Sequence, residues 1–228
     1  MTNELLWILL LFCSFSMVMI SYRLFGKTGL YIWTAVAVIL ANIQVMKTIE
    51  IFGYVTALGN VIYSSLFLVT DIMNENHSEQ DARKAVFVGF FVLLSMTIIM
   101  QITLWFIPDE SDMFGPHIYA IFRVMPRIAF ASIIAYLVSQ SHDVWLFAQL
   151  KKRFDKKHLW LRNNLSTIVS QLIDNFLFTI IAFYGEPGFT VAIIMQIFFT
   201  SLILKIIVAG FDTPFIYLSR RFKQPLFN

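Results

Sequence analysis

Residues 164–184 have the sequence NLSTIVSQLIDNFLFTIIAFY, an apolar run with one charged side chain, Asp174, near its middle. A helix needs about 20 mostly apolar residues to cross the hydrocarbon core of a bilayer, so this run predicts a membrane-spanning helix. At that depth an aspartate side chain is too short to reach the interface. A carboxylate in this position marks a binding site or a structural ion pair.

Six further runs of this kind lie elsewhere in the chain. Their approximate limits are 4–25, 30–47, 54–73, 84–107, 118–139 and 189–210. Hydrophobic residues make up 58% of the 228 residues and charged residues 14%, which is too little charge to cover a soluble surface. This composition excludes soluble enzymes, disordered chains and secreted disulfide scaffolds. We predict a single all-α domain over 1–228, a polytopic membrane bundle of six to seven transmembrane helices.

The number of spans depends on two of these runs. The second and third are short and interrupted by polar residues, so six helices with one re-entrant piece are the alternative. Seven spans with the N-terminus outside place thirteen basic residues on the cytoplasmic side and only Lys47 on the other. This bias predicts a multi-pass protein of the inner (plasma) membrane with a cytoplasmic C-terminus.

The segment 139–163 is the only long predicted loop. It mixes apolar residues at helical spacing with a cluster of lysines and arginines. This combination is typical of an interfacial helix on the cytoplasmic leaflet. We expect its basic residues to contact anionic membrane lipids rather than nucleic acid.

Polar side chains mark one face of the sixth predicted span. Gln171, Asp174 and Phe178 recur at helical spacing on this face. In the fifth span, Arg127 follows Pro126, which predicts a helix kink beside a buried cation. Arg127 is therefore interpreted either as the ion-pair partner of Asp174 or as a substrate ligand.

The second, third and seventh spans carry further polar candidates. Asn60, Phe67 and Asp71 share a face of the third span, where Asp71 fits gating, a loop ion pair or ligand contact equally well. In the second span, Asn42 and Gln44 point in different directions, and one of these amides is expected to bond between helices. Lys205 in the seventh span could instead extend to the cytoplasmic interface.

Several kinds of chemistry lack their usual sequence patterns. The chain has no phosphate-binding loop of the P-loop type and no His-Glu-x-x-His or Cys-x-x-Cys motif. Its four histidines are scattered over predicted loops, and no serine or cysteine has an evident neighbouring base. We therefore expect a protein that is not an enzyme and that uses no metal or cofactor.

Several motifs in the same order resemble the queuosine precursor transporters of the vitamin uptake transporter family. They cover roughly residues 40–215, and the most specific is the Trp160–Asp174 region. The matching residues are Ala41-Asn42-Ile43-Gln44, Lys47, Leu68-Val69-Thr70-Asp71-Ile72, Asn74-Glu75, Ala82, Gly89-Phe90, Trp160-Leu161-Arg162-Asn163, Ser166-Thr167, Gln171 and Asp174. The loop Asn76-His77 departs from the family pattern, which often has a tyrosine and a glycine there.

The resemblance implies uptake of 7-cyano-7-deazaguanine, 7-aminomethyl-7-deazaguanine or queuine, which serve tRNA queuosine modification. The tRNA itself is not an expected partner. A carboxylate such as Asp174 can accept both donors of a guanine-like edge, while Gln171, Arg127 or Asn42 could donate to the base carbonyl. Aromatic rings such as Phe67 and Phe178 could stack on the base. The assigned residues are, for substrate binding, Asp174, Gln171, Arg127, Asn42, Gln44, Asn60, Phe67 and Phe178, and for gating or coupling, Asp71, Lys47, Arg162 and Lys205.

Alternating access is the simplest transport mechanism for such a bundle, and a facilitator is its rival. The main alternative function is the substrate-binding subunit of an energy-coupling-factor importer, which requires an ATPase module as partner. A membrane enzyme or a scaffold is the remaining alternative. A homo-oligomer is compatible with the sequence.

Overall fold

The computed structural model describes residues 2–154, 159–185 and 190–222, and most of them are helical. The elements in chain order are α1 (Asn3–Gln44), β1 (Thr48–Ile51), β2 (Tyr54–Ala57), α2 (Asn60–Asn76), α3 (Glu79–Thr103), α4 (Gly115–Phe122), α5 (Met125–Phe154), α6 (Leu159–Phe183) and α7 (Val191–Ser219).

Helix α1 is a helical hairpin whose two halves correspond to the first two predicted spans. Gly26 has φ 56° and ψ −139°, values that only glycine adopts readily, and the chain reverses there. The Ser21 hydroxyl donates to the Gly29 carbonyl at 2.8 Å just beyond the reversal. At the far end, Glu4 accepts from the backbone N–H of Phe52, so both ends of α1 lie on the same side of the bundle.

A short β-hairpin occupies the start of the predicted third span. Strands β1 and β2 are antiparallel, and Ile51 faces Tyr54 across a two-residue turn. Phe52 and Gly53 both have positive φ, 52° and 80°, as a tight hairpin turn requires. The prediction that a helix begins at residue 54 is therefore wrong, because this part of the chain forms a ladder and α2 begins at Asn60.

The fifth predicted span is a bent pair of helices. Helices α4 and α5 meet at an angle of 40°, and Pro126 lies in the first turn of α5, which confirms the predicted kink. Helix α5 then continues to Phe154, so the predicted loop with its own interfacial helix is wrong over 139–154. The reason is burial: Ser139, Gln140 and Asp143 face the bundle. Residues 155–158 of that prediction lie outside the described residues.

The protein is a polytopic helical membrane protein. Among the described helices, α1, α3, α6 and α7 are each long and apolar enough to cross a membrane, and the bent pair α4–α5 would make a fifth. The two halves of α1 together contain about 63 Å of helix. Each half is therefore about long enough to span the membrane. Large apolar side chains such as Phe87 and Phe91, 62% and 69% exposed, cover the outer surface, as a lipid-facing helix requires.

The bundle has two distinct ends. The hairpin end is named for the β-hairpin, and it carries the start of α1 and the turn between β1 and β2. The basic end, opposite to it, carries the reversal at Gly26 and the ends of α2, α5 and α7. Polar contacts between helices connect the basic end: Lys27 with Asp81 at 2.8 Å, Asn76 with Ser219 at 2.8 Å, Lys151 with the Glu75 carbonyl at 3.0 Å, and Arg220 with the Glu75 carboxylate.

Candidate functional site

A cavity of about 320 Å³ lies in the half of the bundle nearer the hairpin end. This volume is typical of sites for small molecules. Five helical segments and the β-hairpin contribute to it. Its lining residues are Ala41, Asn42, Val45, Met46, Thr56, Gly59, Asn60, Tyr63, Ile128, Ser132, Asp174, Asn175, Phe178, Thr179, Phe183, Ile197, Ser201 and Lys205.

The carboxylate of Asp174 is the centre of a buried network in this cavity. Its Oδ1 accepts from the Tyr63 hydroxyl at 2.5 Å and from the Ser139 hydroxyl at 3.1 Å. Its Oδ2 accepts from the Lys205 ammonium at 2.6 Å, and the two side chains are 2% and 5% exposed. Three of about four acceptor positions of the carboxylate are therefore filled, and its charge is balanced by Lys205.

Two polar atoms at the cavity have no hydrogen-bond partner among the described residues. They are the amide oxygen of Asn42 and the hydroxyl of Thr179. The amide nitrogen of Asn42 donates to the Val38 carbonyl at 2.9 Å within its own helix, which leaves the oxygen available. Since buried polar atoms are nearly always paired, these two are the natural contacts for a bound polar molecule or water.

Aromatic rings form part of the cavity wall. Tyr63 lies under the Lys205 ammonium, 5.2 Å from the ring centroid, and stacks edge-on against Phe67. On the α6 side, Phe178 and Phe183 form a second edge-on pair with centroids 6.0 Å apart. The cavity thus combines flat apolar surfaces with one charge-balanced pair, as a planar heterocycle requires.

Comparison with known proteins assigns the chain to a family. Residues 57–219 match the family model described as putative vitamin uptake transporter. This chain belongs to that family. The matched residues include the Asp174 network and most of the cavity lining.

Named relatives are found in three bacteria. The transporter is 39% identical over 222 residues to a protein named "Probable queuosine precursor transporter" from Bacillus subtilis (strain 168), covering 97% of this chain and 96% of the relative. It is 31% identical over 134 residues to a protein of the same name from Haemophilus influenzae, covering 58% and 54% of the two chains. It is 26% identical over 147 residues, 64% of each chain, to "Queuosine precursor transporter" from Escherichia coli (strain K12). No solved structure matches.

The cavity brings together five of the residues singled out from the sequence: Asn42, Asn60, Asp174, Phe178 and Lys205. Outside its lining lie Gln44, Lys47, Phe67, Asp71, Arg127 and Gln171. The side chain of Arg162 lies outside the described residues. Gln171 is fully buried beyond the cavity, and neither of its amide atoms has a partner among the described residues.

Two interpretations of cations require correction. Arg127 is not the partner of Asp174, because its guanidinium donates to backbone carbonyls, including that of Tyr184 at 3.0 Å, at the end of α6. Lys205 does not extend to the interface, because its side chain turns inward and pairs with Asp174. Pairing inside the bundle relieves two costly buried charges at once.

A second group of carboxyls lies closer to the basic end. Asp71 on α2, Asp143 on α5 and Asp212 on α7 are each at most 1% exposed. Thr167 donates to Asp71 at 3.1 Å, and Asn163 donates to Asp212 at 2.7 Å, so α6 contacts the group from its own side. We call Asp71, Asp143 and Asp212 the acid cluster.

The sequence analysis did not single out several residues of these two sites: Tyr63, Ser139, Thr179, Asp143 and Asp212. Ser139 and Asp143 are four residues apart, a helical spacing that continues α5 beyond the predicted end of the span. Asp212 interrupts an apolar run that continues to Ser219. Tyr63 gave no such signal, because a tyrosine near a helix start is equally typical of a membrane interface.

Proposed function

We propose that this protein transports queuosine precursors, which are 7-deazaguanine bases, across its membrane, and that it catalyses no reaction. The observation that carries this proposal is the cavity, in which Asp174, unpartnered polar atoms and aromatic rings meet. The names of the relatives support the same class of cargo. The energy-coupling-factor alternative receives no support from the matched family or from these names.

Binding of a guanine-like base requires an exchange of partners at Asp174. The base offers two parallel donors, but Asp174 already accepts three hydrogen bonds. We infer that the base takes the place of Lys205 at Oδ2 and of Ser139 at Oδ1, and that the released ammonium donates to the base carbonyl. Both charges then remain paired through the cargo, as a water-poor site demands.

The charge of the cavity selects among the precursors. Asp174 and Lys205 are the charged residues of the described lining, and their charges cancel. A neutral cargo leaves this balance intact, whereas a cationic aminomethyl group adds an uncompensated charge. We therefore infer a preference for 7-cyano-7-deazaguanine over 7-aminomethyl-7-deazaguanine.

The two ends of the bundle suggest how the cargo moves. The cavity lies toward the hairpin end, while interhelical polar contacts connect the helices at the basic end. Applying the positive-inside rule, we assign the basic end to the cytoplasm and the hairpin end to the outside of the plasma membrane. Alternating access then requires these basic-end contacts to open after the cargo binds.

Direct binding to the purified protein tests this function. Titration calorimetry should detect 7-cyano-7-deazaguanine, with weaker binding of 7-aminomethyl-7-deazaguanine and no binding of an unrelated vitamin. Uptake into liposomes by the lone chain should follow the same order. Folded protein that binds none of these bases, or that transports only with an added ATPase, would contradict the proposal.

Two variants test the cavity itself. Asp174→Asn removes the charge and should weaken base binding about tenfold to a hundredfold, as expected for hydrogen bonds to a charged group. Thr179→Val keeps the shape of the side chain and should weaken binding by a smaller factor. Thr200→Val is the matched control, because that hydroxyl donates only within its own helix. Unchanged binding by both cavity variants would exclude this cavity as the site.

A further inference from the structure

The acid cluster lacks the compensation that Asp174 has. Asp71 and Asp143 are fully buried on two packed helices, and beside them Thr70 on α2 donates to Gln140 on α5 at 3.2 Å. Thr167 and Asn163, one turn apart on α6, donate to Asp71 and Asp212, so the three carboxyls lie in one region of the bundle interior. No lysine, arginine or histidine among the described residues forms an ion pair with any of the three. Carboxyls grouped in a buried site without a cation cannot all be ionised without a large cost, so a proton is their natural counter-charge.

A metal ion is a poorer explanation of the cluster. No group of three carboxylates, histidines or cysteines in the described part of the chain converges with the geometry that holds a metal. Both oxygens of Asp143 and Oδ1 of Asp71 have no hydrogen-bond donor among the described residues. A carboxyl proton supplies such a donor without requiring the three groups to converge on one point.

A separate side chain points to the same ligand. Asn163 is fully buried, and its amide nitrogen donates to Asp212 at 2.7 Å and to Thr213 at 3.2 Å, which directs the side chain into the cluster. Its amide oxygen has no donor among the described residues. A protonated carboxyl in the cluster would supply a donor of the kind that this oxygen lacks.

Helix α6 connects the acid cluster with the cavity. Asn163, Thr167, Gln171 and Asp174 follow one another at spacings of three or four residues along one face. Thr167 contacts Asp71, and Asp174 lies about 10 Å further along the helix. Gln171, between them, is fully buried with both amide atoms unpartnered among the described residues, which leaves it available to transmit a change from one site to the other.

We propose that the acid cluster binds the proton that drives uptake. This inference rests on the proposed transport function. One proton enters from the hairpin end, binds a carboxylate of the cluster while the cavity receives its base, and leaves to the cytoplasm when the basic end opens. With a neutral cargo, each cycle then carries one positive charge inward.

The charged groups around the cluster have partners of their own. On α6, the next titratable group among the described side chains is Asp174, which Lys205 neutralises. On α5, His142 directly precedes Asp143 and hydrogen-bonds with the Ser170 hydroxyl at 3.0 Å. Toward the basic end, α2, α5 and α7 carry Glu75, Lys151 and Arg220, which contact one another or the backbone. From α1 and α3, Lys27 and Asp81 form their own pair. Cluster protonation is therefore the change that should dominate the pH dependence of coupling.

Uptake into liposomes under an imposed pH gradient tests the coupling. With one proton per base, an outside pH one unit lower should raise accumulation about tenfold. Asp143→Asn mimics the protonated carboxyl without releasing a proton, so it should bind the base normally in detergent but lose this gradient dependence. Uptake by the unaltered protein that does not respond to the pH gradient, or that requires sodium, would overturn this inference. The proposed transport function would still stand if the protein binds the base.

A second measurement is independent of the cargo. Infrared difference spectra across neutral pH should show a buried protonated carboxyl band in the unaltered protein, and Asp143→Asn should shift or remove it. The control is Asp109→Asn in the loop between α3 and α4. Hydrogen bonds from Ser111 hold the pKa of the Asp109 carboxyl below its ordinary value of 3.8, so this group stays ionised in that range. Absence of a band that depends on Asp143 would exclude the proton site, whatever the cargo.

Discussion

The protein buries carboxylates in two places, and their hydrogen-bond donors and counter-charges differ. Asp174 at the cavity has a lysine, a tyrosine and a serine as hydrogen-bond donors. The acid cluster has three carboxyls and only hydroxyl and amide donors among the described residues. A carboxylate with a fixed counter-charge keeps one charge state and can orient a ligand, whereas carboxyls without one exchange protons with their surroundings. Four aspartates in one membrane bundle therefore suit two different tasks.

The largest effect should come from removing the counter-charge at the cavity. Lys205→Met leaves Asp174 buried without its cation and should destabilise the protein by about 3–5 kcal/mol. Thermal unfolding in detergent would show this as a large drop in Tm. The double variant Lys205→Met with Asp174→Asn should recover most of the stability but not base binding.

The matched change in the acid cluster should behave in the opposite way. Asp143→Asn removes a group with no counter-charge, so its Tm should stay within a few degrees of the unaltered value. Equal destabilisation by Lys205→Met and Asp143→Asn would contradict the conclusion that only the cavity site depends on a counter-charge.

The next effect concerns the donor that orients Asp174. Tyr63→Phe removes the hydroxyl that donates at 2.5 Å but keeps the ring beneath Lys205. Because this hydrogen bond is made to a charged group, we expect a loss of about 1.5–3 kcal/mol in unfolding free energy. Base affinity should fall as well. Tyr217→Phe, at an exposed position on α7, is a control that should change neither quantity.

A smaller effect is expected for the donor of the acid cluster. Thr167→Val removes the hydrogen bond to Asp71 at 3.1 Å. If Asp71 shares a proton, this bond is close to neutral and its loss should cost about 0.5–1.5 kcal/mol. A loss as large as that of Tyr63→Phe would mean that Asp71 is fully ionised, which contradicts the proton site.

The smallest effect belongs to the surface of the basic end. Lys27→Gln breaks the pair with Asp81, in which the lysine side chain is 44% exposed. Exposed ion pairs contribute about 0–1 kcal/mol, so Tm should barely change and should respond little to salt. A loss comparable to that of Lys205→Met would show that exposure does not separate the two kinds of pair.

The sequence predicted the helical class, the kink beside Pro126 and the polar face of α6, because these features depend on apolar length and helical spacing. It could not predict the partner of Asp174, since Lys205 and Arg127 both lie within predicted spans and only packing decides which one reaches it; Lys205 is buried, whereas Arg127 is exposed. The β-hairpin was missed because residues 54–57 of its second strand lead directly into the apolar sequence of α2 and were counted as the start of the third span. Asp143 and Asp212 were missed because they lie near the expected helix ends, where charge is normally unremarkable.

The reversal at Gly26 bears on how the protein is made. Both halves of α1 are complete within the first 44 residues, before any aspartate of either buried site has been synthesised. The contact that joins them at the reversal, between Ser21 and Gly29, involves no later part of the chain. Chains fold from the N-terminus during synthesis, so the α1 hairpin can enter the bilayer as a paired unit and offer a protein surface to the later helices. Helix α2, with Asp71, would then meet packed helix rather than bare lipid as it inserts.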